Sequence, residues 1–230
     1  AVTLLLGGLA AGTCSPTEKQ AEAEKRQFEL PPANHTMRRV YAYLLKKRHI
    51  QRDVLNAFVH AGLIYEDEKY HNAVFVGKDE HGVARHAHKR STHDTGKTFR
   101  INVEGSDPRC SFHWTGVSDR LYVFEGPIDL LSYITLHPED WRQHNYVACC
   151  GTSSLPVLWM LEHDPVLRDV FLCLDNDKAG HTASLRLAEQ IAERFEIASS
   201  RLISENKDWN DDLTELAEQE HAVQMVQQIG

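Results

Sequence analysis

In the second half of the chain, short unbroken apolar runs alternate with stretches of helical spacing. Leu121 to Phe124, Tyr146 to Cys150 and Val170 to Leu174 predict strands, and residues 127–136, 153–162 and 179–195 predict the helices that follow them. Arg201 to Ser204 predicts a fourth, shorter strand, and residues 212–228 a last helix. Apolar runs without polar interruption describe strands covered on both faces, as in a parallel sheet. Strand–helix repeats in this order predict right-handed βαβ units around such a sheet.

The first half has a different texture. Residues 1–9 read as the end of a helix stopped by Gly7 and Gly8, and residues 10–36 as a polar linker with Pro16, Pro31 and Pro32. Val40, Tyr43 and Leu44 have helical spacing, and Val54, Leu55 and Phe58 repeat it before Gly62. Residues 72–77 and 83–89 predict a hairpin around Gly82, and residues 99–103 a further strand. Residues 106–116 read as a loop. Three parts are expected: residues 1–36 as a tail and linker, 37–117 as a small α+β subdomain, and 118–230 as the α/β domain.

Acids gather at the carboxyl ends of the predicted strands. Glu125 ends the first, with Asp129 in the turn of helix beyond Gly126 and Pro127. Gly151-Thr152 ends the second, Asp175 and Asp177 the third, and Lys207-Asp208-Trp209-Asn210-Asp211-Asp212 follows the fourth. Open α/β sheets bind ligands at this edge. Neighbouring carboxylates raise one another's pKa unless a cation compensates. Asp175 and Asp177 are therefore first candidates for a divalent metal, and Glu125 for a general acid or base. A plainer reading leaves Asp175 and Asp177 as caps of the next helix.

Charge is unevenly spread. The chain has a net charge of −8, yet residues 36–110 hold 14 Lys/Arg against 9 Asp/Glu, while residues 111–230 hold 8 against 20. Such asymmetry predicts a basic, nucleic-acid-binding half joined to an acidic, metal-binding half. Eight of the 14 histidines lie between His35 and His93, scattered without metal-ligand spacing. None of the five cysteines forms a Cys-x-x-Cys pair, which fits a reducing cytoplasm and removes a zinc knuckle from consideration. No apolar stretch reaches the length of a membrane helix.

Four segments taken in order resemble the motifs of a TOPRIM domain: Leu121-Tyr-Val-Phe-Glu-Gly-Pro-Ile-Asp129, Cys149-Cys-Gly-Thr152, Leu174-Asp-Asn-Asp-Lys-Ala-Gly180 and Lys207-Asp-Trp-Asn-Asp211. That family includes bacterial primases, topoisomerase metal-binding domains and certain nucleases. The resemblance is strongest to the bacterial primase core, with Glu-Gly-Tyr-x-Asp, Leu-Gly-Thr, Asp-Gly-Asp-x-Ala-Gly and Asp-Pro-Asp-Glu in the same order. It extends loosely upstream to residue 37, through the helix at Tyr43 to Ile50 and the hairpin at Asn72. Ala1-Val-Thr-Leu-Leu-Leu-Gly7 is similar to the end of the zinc-binding domain that precedes a primase core, so the chain is expected to be a piece of a longer protein.

The resemblance implies a Rossmann-like parallel sheet flanked by helices, a Mg²⁺ or Mn²⁺ cofactor, and primase-like nucleotidyl transfer in DNA replication. Shortened cores of this kind belong to mobile-element proteins. Metal ligands would be Asp175 and Asp177, with Asp129 and Asp208 as outer or second-metal ligands. Turn and phosphate positions would be Gly126, Gly151, Thr152, Lys178 and Gly180. Independently of the resemblance, the basic balance of residues 36–110 assigns DNA contacts to Arg85, Lys89, Arg90 and Arg100. Implied partners are single-stranded DNA, nucleotides, and a helicase or other replication protein, with no membrane. Three departures stand out. Asn176 replaces a glycine; Trp209 and Asn210 replace Pro and Asp, leaving Asp211 to substitute for the missing acid; and the basic half is short. A TOPRIM nuclease and a non-catalytic DNA-binding or scaffold module remain as alternatives. A phosphatase or receiver domain would need neither Glu125-Gly126 nor Gly151-Thr152.

Overall fold

A computed structural model describes residues 27–93, 98–151 and 153–229. The predicted helix end at residues 1–9, the linker up to residue 26, and Thr152 lie outside the described residues.

Helix α1 (Arg38–Ala42) runs into a π-helical turn (Tyr43–Lys47), and α2 spans Arg52–His60. Val40, Leu44, Val54, Leu55 and Phe58 form their buried face, as the spacing predicts. An antiparallel sheet follows, with strands β1 (Ile64–Glu66), β2 (Ala73–Lys78), β3 (Ala84–Arg90) and β4 (Arg100–Asn102) in that order across it. The hairpin and the strand after it fall where expected. β1 was not predicted, because three residues beside a charged run carry too short a pattern; pairing with β2 creates it.

The second sheet contains β5 (His113–Trp114), β6 (Arg120–Phe124), β7 (Asn145–Ala148), β8 (Asp169–Leu172) and β9 (Ser199–Arg201), in the order β5-β7-β6-β8-β9. β6 to β9 pair in parallel, joined by α3 (Pro127–Leu136), α4 (Leu155–His163) and α5 (Lys178–Phe195), with α6 (Trp209–Ile229) closing the chain. β5 adds an antiparallel edge that the sequence hides in a turn-rich loop. Packing explains it: the Trp114 ring lies 5.0 Å from Phe58 and 4.9 Å from Trp141. α6 begins three residues earlier than its apolar pattern, because Asp208 caps it: Oδ1 accepts the Asn210 and Asp211 amides at 3.0 and 2.9 Å.

Strand alternation sends the two faces of this sheet to different partners. Leu121, Val123, Val147, Val170 and Leu172 pack with Val157, Leu187 and Ile191 of α4 and α5. Tyr122, Phe124 and Tyr146 face the other way, into a core shared with Phe58, Phe75, Leu130 and Trp209. That core runs without interruption from the antiparallel half into the parallel one. The cleft between the halves opens at the carboxyl edge of the parallel strands.

Candidate active site

Parallel pairing places the carboxyl ends of β7, β6 and β8 side by side, so Gly151, Glu125 and Asp175 come to one edge. Gly126 and Pro127 begin α3, which puts Asp129 in its first turn. A Cβ on Gly126 would lie 3.0 Å from the Asp129 carboxylate. Gly151 has φ of +140°, a conformation that side chains disfavour, and its amide donates to the Glu125 carbonyl at 3.2 Å. Gly180 lets α5 touch the end of β8: a Cβ there would sit 2.1 Å from the Asp175 carbonyl oxygen.

The cap reading of Asp177 is real. Its Oδ1 accepts the Gly180 amide at 2.9 Å. The cap occupies one oxygen of an exposed carboxylate, which leaves the other able to meet a ligand. Lys178, the next residue, is exposed on the first turn of α5.

The electrostatics tie the acids together. Burial first, then Glu125, Asp208 and Asp177, pushes Asp175 up from 3.8 to about 6. Burial, aided by Asp177 and Asp208 and opposed by Arg100 and Lys207, raises Glu125. Burial with Asp208, Asp175 and Glu125 holds Asp129 well above the usual carboxylate range. Glu125, Asp129, Asp175, Asp177 and Asp208 therefore form one electrostatic cluster. Asp211 is exposed, and is raised by desolvation and by Asp208, without Glu125 or Asp175 among the causes.

This donor set fits a hard divalent ion. Among the described residues no three His, Cys, Asp or Glu side chains converge to hold a metal by themselves. Mg²⁺ typically takes only one or two carboxylates, completing its shell with phosphate oxygens and water. Asp175 and Asp177, with Asp129 and Asp208 behind them, suit an ion shared with a phosphate-bearing substrate.

Arginines form the opposite wall. His88 and Arg90 lie on one face of β3, and register sets Asn102 and Arg100 of β4 directly opposite them. Arg100 reaches to 3.7 Å from Glu125. Arg48 lines the same cleft. The Tyr43 hydroxyl accepts bonds from Arg48 Nε at 3.0 Å and Arg90 Nε at 3.2 Å, holding both guanidinium groups. His88 is buried, donates from Nδ1 to Asn102 Oδ1 at 2.7 Å, and is kept from charging chiefly by desolvation. By the same alternation Lys89 falls on the other face of β3, and Arg85 is the extra residue between Ala84 and His86 where the register with β2 shifts. Arg85 pairs with Asp79 at 2.7 Å, and Lys89 stands 3.9 Å from Asp67.

Asn210, where the primase motif has an acid, joins the two halves. Its Oδ1 accepts Arg48 Nη1, and its Nδ2 donates to the Arg48 carbonyl and to Ser132 Oγ, each at 2.9 Å. Asn176 likewise braces the loop before α6 through the Ser204 carbonyl at 3.0 Å. Arg48, His88 and Asn102 escape sequence reading because nothing in their spacing marks them, and the spacing of Tyr43 marks it only as a core position. Arg48 sits in a Lys-Lys-Arg run that resembles any solvated basic patch.

A parallel sheet with acids at adjacent carboxyl ends, behind a basic antiparallel half, defines the class of this molecule. Residues 122–213 match the family described as Toprim-like, and residues 42–118 the family described as "Protein of unknown function (DUF3991)". The chain therefore carries a Toprim-like domain preceded by a DUF3991 region. An uncharacterized protein of Bacillus anthracis is 29% identical over 212 residues, 79% of this chain and 58% of that protein, so the chain spans just over half of that relative. In fold, the chain is similar to the primase fragment of the bacteriophage T7 primase-helicase protein (TM-score 0.57, 18% identity, 81% of this chain and 73% of that one). It is also similar to the Escherichia coli primase catalytic core (TM-score 0.52, 16% identity, 76% and 67%). The RNA polymerase domain of the Mycobacterium tuberculosis primase gives TM-score 0.52, 15% identity, and 79% and 74%.

Proposed function

We propose that this protein is a Mg²⁺- or Mn²⁺-dependent, primase-like nucleotidyl-transfer enzyme acting on single-stranded DNA, serving replication of a mobile element in the cytoplasm. One observation carries the reading: Glu125, Asp129, Asp175, Asp177 and Asp208 gather at adjacent strand ends and face a wall of arginines. The metal, when bound, supplies charge stabilisation for phosphoryl transfer. Asp175 and Asp177 would hold it, with Asp129 and Asp208 as outer or second-metal ligands and Asp211 at the margin. Glu125, whose proton affinity is raised by burial, takes the proton of the attacking hydroxyl. Arg48, Arg90 and Arg100 bind phosphate groups, and Gly126, Gly151 and Gly180 let backbone approach closely. Residues 37–117 serve as the template-binding part and 118–230 as the catalytic part, with a helicase or other replication protein as partner.

The test is incubation of the chain with single-stranded DNA, labelled nucleotides and Mg²⁺ or Mn²⁺. Extension products that vanish in Glu125→Gln support the proposal. Shortened DNA would make it a nuclease built on the same metal site. Binding without either product would leave a DNA-binding module.

A further inference from the structure

On the face of the parallel sheet covered by α3, a groove of about 600 Å³ lies between the end of α3, the segment after β9, and α6. Its floor is apolar and aromatic: Tyr133, Leu136, Leu202 and Trp209. The Trp209 and Tyr133 rings meet edge to face at 4.9 Å, and Trp209 Nε1 donates to the Cys173 carbonyl at 2.9 Å, so the floor is rigid. At the margins Ile203 and Leu216 are 56% and 44% exposed.

The groove continues along α6. Trp209, Leu213, Leu216 and Val223 share one helical stripe. The first two are buried against the domain, whereas Leu216 and Val223 are exposed. The apolar face that packs the start of α6 thus continues to Leu216 with nothing over it among the described residues, and Glu220 stands on the same stripe before Val223. A projecting helix of this length gains most of its stability from burying such a face.

Charge decides what fits. The ionised residues lining the groove are Glu205, Asp212 and Glu215, with no Lys or Arg. Asp212 accepts the Glu205 and Asn206 amides at 2.9 and 2.7 Å, and Glu215 accepts Asn206 Nδ2 at 2.7 Å, which pins this rim. α6 itself has five acids, namely Asp211, Asp212, Glu215, Glu218 and Glu220, and no Lys or Arg. A second copy of α6 would meet it with like charge, and nucleic acid or an anionic lipid surface would be repelled.

We propose that this groove and the exposed stripe of α6 dock a cationic amphipathic helix of a partner protein. Leucine-like side chains of the partner would cover Leu216, Val223 and Ile203, and its Lys or Arg residues would face Glu205 and Glu215. The surface is separate from the catalytic cleft and does not depend on the proposed activity.

The probe is a synthetic Leu/Lys peptide with leucine at i, i+3, i+4 and i+7, compared with a scrambled peptide of the same composition and a Leu/Glu peptide of the same pattern. Binding to the full chain is read by fluorescence anisotropy, beside sedimentation of the free protein. Ile203→Ser with Leu216→Ser removes exposed apolar contacts and should leave the melting curve nearly unchanged. Glu205→Gln with Glu215→Gln removes rim charge. One-to-one binding of the patterned Lys peptide, weakened at least about tenfold by each pair of changes, supports the proposal. Equal binding of the scrambled peptide, or unchanged binding to either variant, overturns it. A protein that dimerises through this face, becoming monomeric in Ile203→Ser/Leu216→Ser, also overturns it in favour of self-association.

Discussion

The Asp177 carboxylate uses one oxygen to cap α5 and has its other oxygen free to meet a ligand, so its two roles separate on substitution. Asp177→Asn keeps a competent cap, since Asn and Asp cap about equally well. The melting curve of the metal-free protein should hold, while calorimetric titration should show Mg²⁺ affinity at least about tenfold weaker. Unchanged affinity would make Asp177 a cap and nothing more. Glu125→Gln should leave most metal binding in place and lower turnover by about 10² to 10⁴. Asp175 gives a pH signature. Its pKa is about 6 in the folded chain against 3.8 when unperturbed, so the native state binds the proton more tightly. Its contribution is present below pH 4 and is lost as pH rises through 6, on the order of 3 kcal/mol. Melting of the metal-free protein at pH 5 and pH 7.5 should show about half of this loss, Asp175→Asn should reduce it while the raised Glu125 and Asp129 keep a remainder, and Mg²⁺ should restore stability only above pH 6.

Among the elements, β3 is where alternation sorts the basic residues. Arg90 and Arg100 face the cleft, Lys89 faces away near Asp67, and Arg85, at the bulge of β3, pairs with Asp79. Arg90→Ala with Arg100→Ala should weaken single-stranded DNA binding and flatten its salt dependence by about two charges. Arg85→Ala with Lys89→Ala should change either quantity far less. The opposite ranking, measured by titration over a salt series, would move the template to the other face. At the start of α5, Gly180→Ala would force a methyl group to 2.1 Å from the Asp175 carbonyl oxygen, far inside van der Waals contact. It should cost about 2 kcal/mol or more in denaturant unfolding and displace Asp175, reducing metal affinity as well.

In the whole molecule, one core crosses from the antiparallel half to the parallel half, and Asn210 bridges Arg48 to Ser132 beside the acidic edge. Calorimetry should therefore show a single cooperative transition for the described body, with calorimetric and van't Hoff enthalpies agreeing. Asn210→Ala strands buried hydrogen-bonding partners and should destabilise by about 1–3 kcal/mol. Two resolved transitions would mean that the halves are independent, and Asn210 would then be an ornament of one of them.

The chain order of strands, helices and acids was legible because unbroken apolar runs, helical spacing and the residues that end them are local properties. β6 to β8, the helices that follow them, and the edge where Glu125, Asp129, Asp175 and Asp208 meet all follow from that pattern and from the chirality of βαβ crossovers; β9 lies at Ser199–Arg201 rather than the predicted Arg201 to Ser204, because pairing with β8, not its own apolar residues, sets its place. The strands β1 and β5 were not legible, since two or three residues carry no period and exist as strands only through their neighbours. Nor was the arginine wall: Arg48 is brought to the acids by a π-helical turn, by Tyr43 and by Asn210, 162 residues away in the chain. Sequence determined which groups stand at the end of each strand; long-range packing decided which cations they face.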